Sequence, residues 1–257
     1  MDLAYSLSGM TWGCVAAAMH RGIGEKEQGM RKMWICVGLS LVLGLVGFVG
    51  LAEPAAEDWA TASATAARGL AETYVEGMMR TMVVLAATAP VKAGYWDGMF
   101  SLLDTFQGAS LPMATWFVLP DGSYHTVSGG KSSANLSDRT NFPVVMSGQI
   151  ATGYVVVSRS TGRVSMVTAV PVSDGGEVVG ALGTSLFLDA FSVALAEDLA
   201  LPNGYAFFAA TADGTIAMHA DPEKINEAVS EAGVAADGAE GVDSTLLGWS
   251  FVVGPVE

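Results

Sequence analysis

Apolar positions along this chain fall into three regimes. Residues 33–52, MWICVGLSLVLGLVGFVGLA, are an uncharged apolar run long enough to cross a bilayer as one helix. From Trp59 to Leu85 apolar residues recur at helical spacing (Trp59, Leu70, Tyr74, Met78, Met82, Leu85). This spacing predicts one long helix or two, ended by Pro90, and a further helix over 96–106. Past residue 110 the period falls to two. Thr115-Trp116-Phe117-Val118-Leu119 predicts a strand, Asp121-Gly122 a tight turn and 123–127 the returning strand. Residues 128–134 read as a Gly/Ser-rich loop, and Ser137-Asp138 as the N-cap of a short helix over 142–147. Three strands follow, over 153–159, 163–172 and 177–186, separated by turns at Thr161-Gly162 and Asp174-Gly175-Gly176. Residues 188–199 form an amphipathic helix pattern.

The hairpin then recurs. WFVLPDGSYH and FFAATADGTIAMH share an aromatic strand, an Asp-Gly turn, a second strand and a terminal histidine, which makes a short internal repeat. The tail over 226–243 reads as weakly structured, and 246–253 as a closing strand. Every strand pair is joined by a short turn, so the sheets are antiparallel, with helices on one face. The fold class is α+β, a long N-terminal helix followed by two antiparallel sheet modules. The divisions are a leader at 1–32, the apolar segment at 33–52, a helical stalk at 53–110, a first module at 111–199 and a smaller one at 200–257.

Arg31-Lys32 directly precedes the apolar run, which holds that end in the cytoplasm and places everything from Glu53 onward outside. Two readings of the run stay open. It is a retained transmembrane anchor, or a cleaved signal peptide with Gly50 and Ala52 at the peptidase positions, although it exceeds the usual ~7–15 residues of such a segment. Met30 reads as the translation start, with the residues before it lying upstream. The formal net charge is -14, and from Glu53 onward there are eight basic and twenty-three acidic residues. Such a surface repels nucleic acid and anionic lipid, so a nucleic-acid role is excluded. Cys14 and Cys36 both precede Glu53, leaving the exported part without a disulfide or a thiolate metal site. His125 and His219 end equivalent hairpins, each without a second ligand at metal spacing, and read as structural. The chain has no nucleophile elbow, zinc-binding His-Glu helix, phosphate loop or nominated carboxylate pair, so the expectation is a protein that is not an enzyme and needs no cofactor.

The stretches WFVLPDGSYHTVSGG, NLSDRTNFPVVMSGQ, GYVVVSRSTGRVSMVTAVPV, GEVVGALGTSLFL and GYAFFAATADGTIAMHADPEKI, in this order, resemble the double Cache family. These are the PAS-like extracytoplasmic sensor domains of bacterial chemoreceptors and histidine kinases. The likeness covers most of residues 115–225, and the helix before them is similar to the family's membrane-leaving helix. It implies a PAS-like distal module with a small-molecule pocket and a smaller membrane-proximal module, located in the periplasm. The family's second span and output domain do not follow within these residues, so the reading divides between the sensor portion of a truncated or split receptor and a standalone binding protein that presents its ligand to a separate receptor partner. The long helix, with its Ala/Met face at Met78, Met79 and Met82, suggests a homodimer.

In the family an Asp-Arg element sets an arginine over the ligand, where it meets a carboxylate. Here that element is Asp138-Arg139. A guanidinium is a planar fork suited to that task. The expected ligand-binding residues are Trp116, Lys131, Arg139, Phe142, Tyr154, Thr168 and Ser185. The amino-acid-sensing subgroup carries a tyrosine four residues before the arginine, tryptophan and tyrosine after it, and an aspartate on the last strand. This chain has Asn135, Asn141, Phe142 and Ser185 there. Without the aspartate an ammonium lacks its charge pair. The expected ligand is a small carboxylate or a neutral polar metabolite rather than an α-amino acid. The alternative reading is a structural or interaction protein whose sensor fold has lost its pocket.

Overall fold

The computed structural model describes residues 56–234 and 241–256. The apolar run at 33–52, the leader, Met30 and both cysteines lie outside the described residues. Among the described residues no helix is long and apolar enough to cross a membrane.

The chain begins with α1 (Ala56–Ala86), α2 (Ala89–Lys92) and α3 (Trp96–Gly108). Ala, Glu and Met supply helix propensity to α1. Its buried residues Ala60, Ala64, Ala67, Ala71, Val75, Met78, Met82 and Ala86 step by three or four, a single stripe. Pro90 does not end α1. It sits in the first turn of α2, where a proline's missing N–H costs nothing, and α1 has already stopped at Ala86.

A six-stranded antiparallel sheet follows, in the order β3-β2-β1-β6-β5-β4. Its strands are β1 (Met113–Val118), β2 (Ser123–Thr126), β3 (Gly130–Asn135), β4 (Ala151–Val157), β5 (Val164–Asp174) and β6 (Glu177–Phe187). The segment expected to be a Gly/Ser loop is strand β3. Its side chains are polar because it is a solvent-facing edge strand, and it pairs with β2 through backbone alone. The short helix α4 (Asn141–Met146) lies between β3 and β4. Its N-cap is Thr140, without a side-chain cap bond, and not Ser137-Asp138, because Asp138 is committed elsewhere.

After α5 (Leu188–Leu199) comes a four-stranded sheet in the order β8-β7-β10-β9. It contains β7 (Tyr205–Thr211), β8 (Ile216–His219), β9 (Val242–Ser244) and β10 (Trp249–Pro255). The tail expected over 226–243 to be weakly structured contributes a 3-10 turn, Val229–Glu231, and the start of β9; another 3-10 turn, Pro222–Lys224, precedes it. The internal repeat extends to topology: in each sheet the hairpin's first strand pairs antiparallel with the last strand, β1 with β6 and β7 with β10. Gly122 and Gly214 take φ of 82° and 81° at equivalent turns. Asp121 and Asp213 accept hydrogen bonds inside those turns, which hold both carboxyls below their usual range.

One long helix backs both sheets. Near its start, Trp59 packs edge-on to Tyr205 at 4.8 Å, and Arg68 Nη1 donates to the Asp243 carbonyl of β9 at 3.4 Å. Near its end, Thr184 on β6 donates to the sulfurs of Met78 and Met82 at 3.6 and 3.8 Å. The Ala/Met stripe is therefore spent within the chain's own core and is not free to pair helices. Helices α1, α3 and α5 share one continuous core with one face of the larger sheet. The expectation of helices on one face only needs correction: α4 closes part of the opposite face, over a second apolar cluster containing Trp116, Val118, Tyr124, Val145 and Val167.

Candidate functional site

Strand pleat decides what the second face presents, since alternate residues point to opposite sides. Thr115, Phe117, Met166, Thr168, Leu182 and Thr184 turn toward α1 and its core. Trp116, Val118, Val167 and Ser185 turn the other way. Between that second face and the segment from Leu136 through α4 lies a partly open cavity of about 40 Å³. A single water needs roughly 10–15 Å³ on this measure, so the space is larger than one water requires and suits a small guest. Its apolar walls are Trp116, Val118, Leu136, Phe142, Val145, Val156 and Val167. Its polar groups come from Tyr124, Arg139, Asn141, Ser158, Arg159, Ser160 and Ser185.

Trp116 is held in place from below. Gly183 faces it across the β1–β6 ladder, and a Cβ there would lie 2.1 Å from the indole ring. Glycine at this position is what lets the ring lie flat on the sheet. The indole Nε1 donates to Ser185 Oγ at 3.2 Å, so floor and wall are linked.

Two arginines line the cavity. Arg139 Nη2 donates to the Val157 carbonyl at 3.0 Å, and no carboxylate pairs with Arg139 among the described residues. Burial pulls its pKa below the usual guanidinium value, and the Arg159 charge pulls the same way. Asp138 and Tyr124 oppose them. Arg159, in the turn after β4, grips Asp138 with both terminal nitrogens, at 2.8 and 2.6 Å, and also donates to the Asn135 carbonyl. That fork lowers the Asp138 pKa and raises the Arg159 pKa. The two arginines thus cross-strap the 135–139 segment to the end of β4. The lining holds two guanidiniums and no carboxylate.

Of the residues expected at a site, Trp116, Arg139, Phe142 and Ser185 line this cavity. Tyr154 lies on the same face beside Val167, in the apolar cluster, without lining the space. Lys131 and Thr168 do not meet it. Lys131 is exposed on β3 opposite His125, on the far face from Tyr124. Thr168 is buried on the α1 face, hydrogen-bonded to Thr152 Oγ1 at 2.8 Å. Its neighbour Val167 takes the cavity position. Asn135, in the subgroup's tyrosine position, serves a turn: its amide nitrogen donates to the Asp121 carbonyl, and its Oδ1 accepts from Ser137 N. Sequence reasoning missed Arg159, Tyr124 and Asn141. Tyr124 was accessible from hairpin register, but nothing in sequence ties Arg159 to a loop twenty residues earlier.

Neither histidine is free. His125 stacks on Trp96 at 5.0 Å. His219 is buried, with Nε2 2.9 Å from the Ala232 carbonyl and Nδ1 accepting from Asp221 N at 2.8 Å. A larger open hollow of about 420 Å³ borders Arg163, Asp189 and Glu197. Its arginine is already bound to Asp189 at 2.5 Å and lies 3.8 Å over the Phe187 ring, so it presents no unmatched charge.

No protein-family model matches the chain, and no curated protein matches it in sequence. Solved structures do. The ligand-binding domain of the Pseudomonas aeruginosa PAO1 chemoreceptor PctB, in complex with L-Gln, is similar at TM-score 0.60 and 16% identity, over 78% of this chain and 90% of that one. The corresponding domain of PctC from the same organism, with GABA, gives 0.57 and 15% over 78% and 97%. The ligand-binding domain of Pseudomonas fluorescens CtaA, with L-serine, gives 0.58 and 15% over 75% and 93%. The chain therefore has the fold of chemoreceptor ligand-binding domains, and its likeness to the double Cache arrangement holds at the level of fold.

Proposed function

We propose that this chain is an extracytoplasmic sensing module that binds a small carboxylate in the cavity under Arg139. The observation that carries the proposal is a partly desolvated guanidinium, without a carboxylate partner among the described residues, on the wall of a largely apolar cavity. Partial desolvation weakens a guanidinium's hydration, and an anionic guest supplies a charge partner in its place. The shared fold with chemoreceptor domains, solved with L-Gln, GABA and L-serine, supports a receptor role over an enzymatic one. The placement of Arg31-Lys32 before the apolar run supports a periplasmic location. Because the lining holds no Asp or Glu, the preferred guest carries no ammonium group.

The test is thermal shift of the full-length chain in detergent against acetate, butyrate, malonate, succinate, L-serine and GABA. A ligand bound by the folded state alone stabilises by mass action, about 2.7 kcal/mol at a concentration one hundred times its dissociation constant. A rise with the simple carboxylates, lost in Arg139→Ala, is the expected result. Equal or larger rises with L-serine and GABA would remove the preference against ammonium. A flat response to every compound leaves a degenerate sensor fold acting through its surface.

A further inference from the structure

Arg159 is the second guanidinium of the cavity lining, and the sequence reading assigned it no role. We infer that it is a specificity-determining residue that makes the cavity selective for a guest with two acidic groups, a short dicarboxylate over a monocarboxylate. The inference rests on the carboxylate reading above and names the class of carboxylate.

Two arginines line one space, and the Arg159 charge is among the causes that lower the Arg139 pKa. Nothing negative stands in the lining. Among the described residues the carboxylate paired with Arg159 is Asp138, which does not line the cavity and whose side chain is 65% exposed. An exposed ion pair of this kind is weak, because water solvates the carboxylate nearly as well as the arginine does. A carboxylate carried inside, against Trp116 and Val167, meets the same guanidinium with less competing water. Charge-assisted bonds are stronger there. A guest with one acidic group satisfies Arg139 and leaves Arg159 on Asp138. A guest with two takes both arginines and returns Asp138 to solvent. Asp138 thus acts as a stand-in for the second acidic group.

The same contacts admit a purely mechanical role, in which Arg159 only straps the 135–139 segment to β4. Two substitutions separate the roles. Arg159→Gln removes both the strap and the charge. Asp138→Asn weakens the strap and leaves the charge in place, released from its competitor. Binding of succinate, malonate and butyrate is measured by calorimetry on the full-length chain. In the unaltered protein the dicarboxylates bind more tightly than butyrate. Arg159→Gln weakens succinate roughly tenfold or more, the loss expected when a charge-assisted bond goes, and weakens butyrate by less. Asp138→Asn keeps succinate binding or tightens it. The inference is overturned if butyrate binds as well as succinate, or if Asp138→Asn weakens succinate as Arg159→Gln does. Binding of butyrate alone overturns it while leaving the carboxylate reading intact. If no carboxylate binds at all, that reading falls and takes this one with it.

Discussion

The least comfortable residue in the core is Thr115. Register aligns it with Thr184 and Thr168 across β1, β6 and β5, so three threonines form a row facing α1. Thr184 finds the sulfurs of Met78 and Met82, and Thr168 finds Thr152. The Thr115 hydroxyl is buried and has no partner among the described residues. A buried donor left unmatched costs about 1–3 kcal/mol, and a valine of the same shape removes that cost. Thr115→Val is expected to raise stability by about 1 kcal/mol, read as a higher midpoint in urea with an unchanged slope. A fall in the midpoint would mean the hydroxyl has a partner after all. The row also shows why Thr168 was misplaced by sequence. A one-residue shift along a strand moves a side chain to the other face, and both β5 faces are buried. Polarity alone could not tell Thr168 from Val167 as the cavity residue.

At the scale of elements, α1 does the most. Its first half carries alanines, which let the helix lie close to the four-stranded sheet. Its second half carries Val75, Met78 and Met82, which reach the larger one. Met82 is fully buried, so Met82→Ala leaves a cavity between helix and sheet. The expected loss is about 2–5 kcal/mol, with helix content kept, by thermal unfolding followed in circular dichroism. A loss below 0.5 kcal/mol would mean that the helix is not seated as described. Elements with an apolar period were legible: α5 falls on the expected 188–199, and both hairpins turn where Asp-Gly stands. Elements without one were not. Strand β3 reads GKSSAN and owes its form to backbone pairing with β2, while β9 is three residues long and owes its form to β10. Of the cavity, the strand-borne part (Trp116, Ser185) and the Asp-Arg element were readable. Arg159 was not, because its placement follows from the β4–β5 turn folding back over the 135–139 segment.

For the whole molecule the question is whether two sheets make one cooperative unit. Two contacts argue that they do. Helix α1 packs on both, and the loop before β10 presses on β4. There Trp249 Nε1 donates to the Gly153 carbonyl at 3.0 Å. Gly153 has φ of 82°, and a Cβ on it would lie 2.2 Å from the Leu247 carbonyl oxygen. The position therefore excludes a side chain twice over, once by backbone conformation and once by backbone contact from the other sheet. The unaltered chain is expected to unfold in a single transition, with near- and far-ultraviolet signals coincident. Gly153→Ala is expected to lower stability by about 1–3 kcal/mol through strain and the displaced loop. Because α1 still joins the sheets, the transition should move to lower temperature without splitting. Two separated transitions in the unaltered chain would show that each sheet folds on its own, and that α1 does not join them into one cooperative unit.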